Sequence, residues 1–259
     1  MGRDLASADG ESPWRGETGA AGAAVTLAGV VCRASAPVQL ATPGIRLHVP
    51  PGQTVALASQ PAASAIDLLD VVAGLRRPRS GQVCVDGIAV HRLRGRDLDR
   101  YRADRGLLAA RFPLLPSLSV TDNVLAAQLS RHVDPAMRAR AGHLLAMTGV
   151  AQLAVDPVDM LTPEQQWRVL IARALLPFPR LVLAGDPTPS LDPRAATAVL
   201  DVLMDAHARF GFTLLLSVSR IATASRCERL VSIVDGRVAE DELTRADDAG
   251  TRGRIDRIG

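Results

Sequence analysis

Short apolar runs alternate along this chain with stretches of helical period, and that alternation limits its fold more than any other feature. β-type runs lie at Val25 to Cys32, Ile45 to Val49, Thr54 to Ala58 and Gln82 to Asp86, with a helical pattern at Ser64 to Leu75 among them. Further on, the pattern gives a helix at Glu164 to Leu176, the continuous apolar run Leu181 to Ala184 and a helix at Pro193 to Arg209. A strand at Thr213 to Val218 and a final pair around Leu230 to Val238 follow. Strands that are apolar throughout have both faces buried, so helices cover a largely parallel sheet and the fold class is α/β. Between Arg96 and Gln165 the period is mostly helical, and the expectation is a helical piece over 96–165.

The 259 residues, 47% of them hydrophobic, suffice for one domain with a subdomain. Residues 1–24 mix Gly, Ala, Ser and charge without apolar periodicity and read as a flexible arm. Residues 240–259 read as a charged, loose tail, which leaves 25–239 for the fold. No segment near the start has a signal-like apolar core, and no run approaches the roughly 20 apolar residues of a membrane span. The expectation is a cytoplasmic protein that reaches a membrane only through a partner. Net charge is +3, from 30 basic and 27 acidic residues without a long single-sign block, which gives no expectation of nucleic-acid binding. Cys32, Cys84 and Cys227 lack zinc or redox spacing and read as reduced thiols, and no metal site is expected. Every basic residue is Arg and there is no Lys, so any chemistry that needs a lysine ammonium is excluded.

Pro51-Gly52-Gln53-Thr54-Val55-Ala56-Leu57 begins a turn, strand and helix that runs to Ala73-Gly74-Leu75 and Ser80-Gly81. Phe112-Pro113-Leu114-Leu115-Pro116, Asp122-Asn123-Val124, Leu161 to Leu175, Asp186-Pro187-Thr188, Ser190-Leu191-Asp192 and Asp235-Gly236-Arg237-Val238 follow at regular intervals. This series resembles the ATP-binding cassettes of ABC transporters, over roughly Val25 to Ala239. Its details look most like the lipoprotein-release, macrolide-export and cell-division cassettes. The resemblance implies a P-loop NTPase-like fold with a RecA-like core sheet, an N-terminal antiparallel β subdomain and a helical subdomain. It also implies ATP and Mg²⁺ as cofactors and ATP hydrolysis coupled to transport.

Against that pattern the functional positions depart. A phosphate loop reads G-x-x-x-x-G-K-[ST], with glycines that let backbone N–H groups close on phosphate, a Lys for the β and γ charge, and a hydroxyl for Mg²⁺. Here Ser59 and Ser64 replace the glycines, Ala65 the Lys and Ile66 the hydroxyl residue, while Pro61 removes an N–H and Asp67 adds negative charge. After Leu181 to Ala184 the family places an Asp for Mg²⁺ and a Glu that polarises water. This chain offers Asp186 alone, at the Glu position or, with the frame shifted by one, as the metal ligand; a capping or solvated Asp reads equally well. The signature Leu-Ser-Gly-Gly-Gln, which a second cassette presents to phosphate, aligns with Leu161-Thr162-Pro163-Glu164-Gln165. Pro163 removes a donor and Glu164 brings a carboxylate toward the γ-phosphate, although Thr162 and Pro163 form a good helix start. The Mg²⁺-sensing glutamine aligns with Ala110 and the switch histidine with Ser219. The adenine-stacking aromatic near Arg33 to Ser35 is absent.

The matching loops Ser190-Leu191-Asp192 and Phe112 to Pro116 correspond to a cassette-pairing loop and to the segment beside the membrane-subunit groove. Phe112, Leu114, Leu115, Pro116, Ser190, Leu191 and Asp192 are therefore the expected partner-binding residues. The leading expectation is a cassette without catalytic residues or bound nucleotide, which acts as scaffold or regulator with an ABC membrane subunit, another cassette, or both. A working ATPase of an ABC exporter is the alternative, and a soluble cassette without a transporter is a third.

Overall fold

The computed structural model describes residues 22–32, 44–61, 63–109, 112–128 and 133–244. In chain order these form β1 (Val25–Val31), β2 (Ile45–Val49), β3 (Thr54–Gln60), α1 (Ala63–Val72), β4 (Ser80–Val85) and β5 (Ile88–Ala89). There follow α2 (Gly95–Ala103), β6 (Gly106–Leu108), α3 (Val120–Leu125), α4 (Pro135–Met147), α5 (Pro163–Leu175) and β7 (Leu181–Ala184). The chain continues with α6 (Pro193–Phe210), β8 (Thr213–Val218), α7 (Ile221–Ala224), β9 (Arg229–Val234) and β10 (Arg237–Leu243).

Two sheets result. The first is antiparallel, ordered β2-β1-β4-β5, and forms the expected N-terminal β subdomain. Its strands alternate in burial: Val25 and Leu27 turn inward while Thr26 and Ala28 face out. At Gly29 the register of β1 slips against both neighbours, and Gly81, with φ +88°, sits against it. A Cβ on Gly81 would lie 2.1 Å from the Gly29 carbonyl oxygen, so only glycine fits there.

The second sheet is the core, ordered β10-β9-β3-β8-β7-β6, with β9, β3, β8, β7 and β6 parallel and β10 antiparallel at one edge. Each central strand sends alternate side chains to two separate apolar cores. Ala56, Val182, Leu214 and Leu216 join the core beneath α4, α5 and α6, whereas Val55, Leu57, Leu181, Leu183 and Leu215 join the core shared with α1 and the β subdomain. The second core carries the site, because α1 packs there against β3 and β8.

Two expected boundaries change. Residues 96–165 are not uniformly helical: Gly106, Leu107 and Leu108 form β6, which pairs with Val182, Leu183 and Ala184. Three residues are too few to show a period of two, and only the neighbouring strand completes their hydrogen bonds. Nor is the helical piece separate, since Val120, Val124, Leu144 and Leu145 share one core with Leu175 and Leu214. At the C-terminus, residues 240–243 belong to β10, where Glu240 faces Ser232 and Leu243 faces Arg229. An acidic run suits an exposed sheet edge, and Arg229 grips Asp241 through Nε at 2.5 Å and Nη2 at 2.6 Å. Residues 245–259 and most of the expected N-terminal arm lie outside the described residues.

Cys32 and Cys227 are buried. Burial, followed by the Asp67 carboxylate for Cys32 and the Glu228 carboxylate for Cys227, pushes both thiols up to about 12. A raised thiol pKa keeps the protonated form, so at pH 8 the reactive thiolate is on the order of one part in ten thousand. Iodoacetamide at pH 8 is expected to leave both thiols unmodified in the folded protein and to label them in denaturant, as peptide mass spectrometry would show.

Candidate functional site

The C-terminal ends of β3, β7 and β8 lie side by side, which in an open parallel sheet is where ligands bind. The loop from β3 into α1 is closed on itself. Ser59 Oγ donates to the Pro61 carbonyl at 3.0 Å and accepts from the Ala65 amide at 2.9 Å, and the Ser64 amide donates to the same Pro61 carbonyl at 2.9 Å. These are N–H groups at the start of α1, which an anion at this helix terminus would otherwise engage. Ala65 is 2% exposed and packed inward, while Ile66 is 44% exposed. Asp67 stands 3.9 Å from Arg76, whose Nε also pairs with the buried Asp70 at 3.3 Å.

Asp186 and Ser219 meet because β7 and β8 are neighbours. Asp186 Oδ2 accepts from the Ser219 amide and from Ser219 Oγ, both at 2.6 Å, and Oδ1 accepts from the Thr188 amide at 2.8 Å. The Asp186 amide donates to Ser217 Oγ at 3.2 Å. Three donors thus hold the carboxylate as a tie between two loops, which is the capping arrangement of the sequence alternatives. A carboxylate so occupied has few lone pairs left for a water or a cation. No cluster of three His, Cys, Asp or Glu suited to a metal ion occurs among the described residues.

Thr162 and Gln165 form a full capping box at the start of α5, with Pro163 in its first turn: Thr162 Oγ1 accepts from the Gln165 amide at 3.3 Å, and Gln165 Oε1 accepts from the Thr162 amide at 2.8 Å. Glu164 is not the isolated charge that sequence suggests. Its Oε1 accepts from Arg168 Nε at 3.0 Å and Nη2 at 2.8 Å, one helical turn on, so much of its repulsion toward an anion is compensated locally. None of Thr162 to Gln165 lines the cavity described below.

The segment after β6 is organised by Asn123 and Arg173, which lie within matched segments but had no role assigned to them. Asn123, fully buried, accepts from the Leu115 amide at 2.6 Å and donates to the carbonyls of Leu115, Leu118 and Ser119. Arg173 from α5 donates to the Pro113 carbonyl at 3.0 Å and to the Phe112 carbonyl, and burial lowers its pKa. Leu114 turns into the core, at 9% exposure, and so leaves the expected partner surface, whereas Leu115 is 44% exposed and Pro116 exposed. Ser190 accepts from the indole N–H of Trp167 at 2.9 Å and donates to the Pro187 carbonyl. Leu191 packs on the core and Asp192 caps α6 through the amides of Arg194 and Ala195, each at 2.9 Å. An indole at position 167, four residues into an amphipathic helix, was the available signal for that pinned loop. Ala110 and the expected adenine position near 33–35 lie outside the described residues.

Between α1 and the ends of β6, β7 and β8 lies a cavity of about 250 Å³. Ala65, Ile66, Asp186 and Ser219 all line it, together with Phe112. Five of the candidate positions, from Ala65 to Ser219, are thereby brought to one place.

The family described as ABC transporter matches residues 43–189. This chain is an ABC-transporter ATP-binding cassette. The cassette is 35% identical to the phosphonates import ATP-binding protein PhnC of Rhizobium etli over 213 residues, covering 78% of this chain and 76% of that protein. It is also 35% identical to the macrolide export ATP-binding/permease protein MacB of Rhodopseudomonas palustris over 214 residues, which are 80% of this chain and 33% of that protein. The macrolide-export likeness expected from sequence is there, but phosphonate-import cassettes stand beside it. Among solved structures, the dimeric post-hydrolysis state of the ATP-binding cassette MJ0796, bound to ADP and Pi, matches with a TM-score of 0.73 at 26% identity, over 85% of this chain and 99% of that one. No helix among the described residues is long and apolar enough to cross a membrane.

Proposed function

We propose that this cassette is a catalytically degenerate subunit, a scaffold or regulator of an ABC membrane complex that neither holds nor hydrolyses ATP. The observation that carries the reading is the self-closed β3–α1 loop: Ser59 and Pro61 consume the Ala65 and Ser64 amides, and Ala65 provides no cation. Asp186 adds to it, since a carboxylate already accepting three hydrogen bonds is poorly placed to take a proton from water. Its partners on this reading are an ABC membrane subunit, an active cassette, or both, met through Leu115, Pro116 and the loop at Ser190 to Asp192. Membrane association comes only through them. A cytoplasmic-face position follows from that role.

A second reading, a working ATPase of an ABC transporter, is favoured by the names of the relatives, which are ATP-binding proteins. A coupled phosphate-release assay on the purified chain, with the Asp186→Asn variant alongside, separates the two. The expected result is no turnover above the buffer rate for either protein. Hydrolysis by the native chain that Asp186→Asn abolishes would establish the enzyme instead.

A further inference from the structure

The cavity over the ends of β6, β7 and β8 is lined mostly by apolar side chains. Its floor is apolar and dry by composition: Leu69, Ala73 and Leu183 are all nearly inaccessible to solvent. Its walls include Leu107 and Phe112, and its open side is marked by the exposed Ile66. Among the described residues no Arg lines it, and the one ionisable group that does is Asp186, whose two oxygens already accept from Thr188 and Ser219. Among the described residues an anion entering here would meet a carboxylate and no cation, and a strongly hydrated molecule would lose water without replacing it. An apolar molecule loses nothing of that kind and exchanges water contact for hydrocarbon.

Size narrows the class. An apolar cavity of about 150 Å³ holds a single six-membered aromatic ring, so 250 Å³ has room for about ten non-hydrogen atoms. The floor is laid by a sheet end and a helix face, which favours a flat shape. We infer that this cavity is a binding site for a neutral, flat, apolar small molecule of two fused rings' size, seated where a nucleotide-binding cassette would hold the terminal phosphate. The inference deepens the proposed function, since it takes the same site as released from nucleotide.

Equilibrium dialysis of the full chain against naphthalene, read by fluorescence, tests it, with naphthoate as the anionic analogue. Saturable binding of naphthalene in the submillimolar range is expected, about tenfold or more tighter than naphthoate. Ala73→Leu, which fills the floor, and Ile66→Asp, which places a charge on the exposed rim, should each weaken naphthalene about tenfold or more. If Ala73→Leu fails to fold, Ile66→Asp decides, because its side chain stands in solvent. Absence of saturation, equal binding of naphthoate, or binding indifferent to Ile66→Asp would overturn the site. Mg-ATP added to the same cells keeps the two ideas apart. Displacement of naphthalene by Mg-ATP would refute the inactive reading and leave the cavity standing; binding of neither would refute the cavity and leave that reading standing.

Discussion

Titration of the native chain with Mg-ATP in a calorimeter is expected to give no saturable heat up to millimolar nucleotide. A triphosphate needs positive charge and free backbone donors, whereas the β3–α1 loop has no cation at Ala65 and already engages the Ser64 and Ala65 amides. One ammonium at about 4 Å from phosphate contributes about 4 kcal/mol at the effective dielectric of a protein surface, roughly a thousandfold in affinity. Ala65 contributes none of it. The single change Ala65→Lys should not restore binding, because the site is tightly packed at 2% exposure and its amide stays held by Ser59. A rebuilt loop carrying Ser59→Gly, Pro61→Gly, Ser64→Gly, Ala65→Lys and Ile66→Thr is expected to bind Mg-ATP in the submillimolar range. Submillimolar binding by the native chain would refute the degenerate reading outright. A rebuilt loop that binds no better would show that charge and donors are not what the native loop lacks.

Trp167→Ala is expected to destabilise the fold by about 3–5 kcal/mol, the range for removing a buried aromatic side chain. Trp167 is 4% exposed, sits in the core beneath the parallel sheet, and ties α5 to the loop before α6 through Ser190. For a domain of this size that loss lowers Tm by on the order of 10 °C. Trp167→Phe keeps most of the packing and removes only the hydrogen bond, which is worth about 1 kcal/mol. Differential scanning calorimetry should therefore show a large drop for Ala and a small one for Phe. Hydrogen exchange at residues 187–192 should rise in both variants, because both release Ser190. Equal drops in Tm would mean that the indole hydrogen bond, and not packing, carries the stability.

Phe112 and Arg173 show how far local pattern reached. The Phe112 to Pro116 segment was legible as a loop of the cassette pattern, yet its shape comes from Asn123 and from a guanidinium 60 residues farther on in α5. No window of sequence contains both ends of that contact. Leu114 and Leu115 are chemically alike and adjacent, and only packing turns the first inward and the second outward. Glu164, a bare charge in its motif, is paired with Arg168 one turn along the same face, a pair that helical spacing does contain.

β6 went unseen and β10 was cut short at residue 239 for the opposite reason. A three-residue strand and an acidic edge strand have little intrinsic preference, and each exists because a neighbour offers hydrogen-bonding partners. The central strands needed no such help, since continuous apolar runs can only be satisfied with both faces covered.

By itself, the sequence determined the α/β alternation, the cassette order and the absence of any lysine at the phosphate position, because composition and spacing are local properties of a chain. Tertiary structure alone decided that Asp186 would be tied to Ser219, that Ser59 would take up the Ala65 amide, and that Ile66, Leu69, Leu107 and Leu183 would enclose one apolar cavity. Hydrogen bonds and enclosed volume depend on which strands become neighbours, and that is settled only when the sheet is assembled.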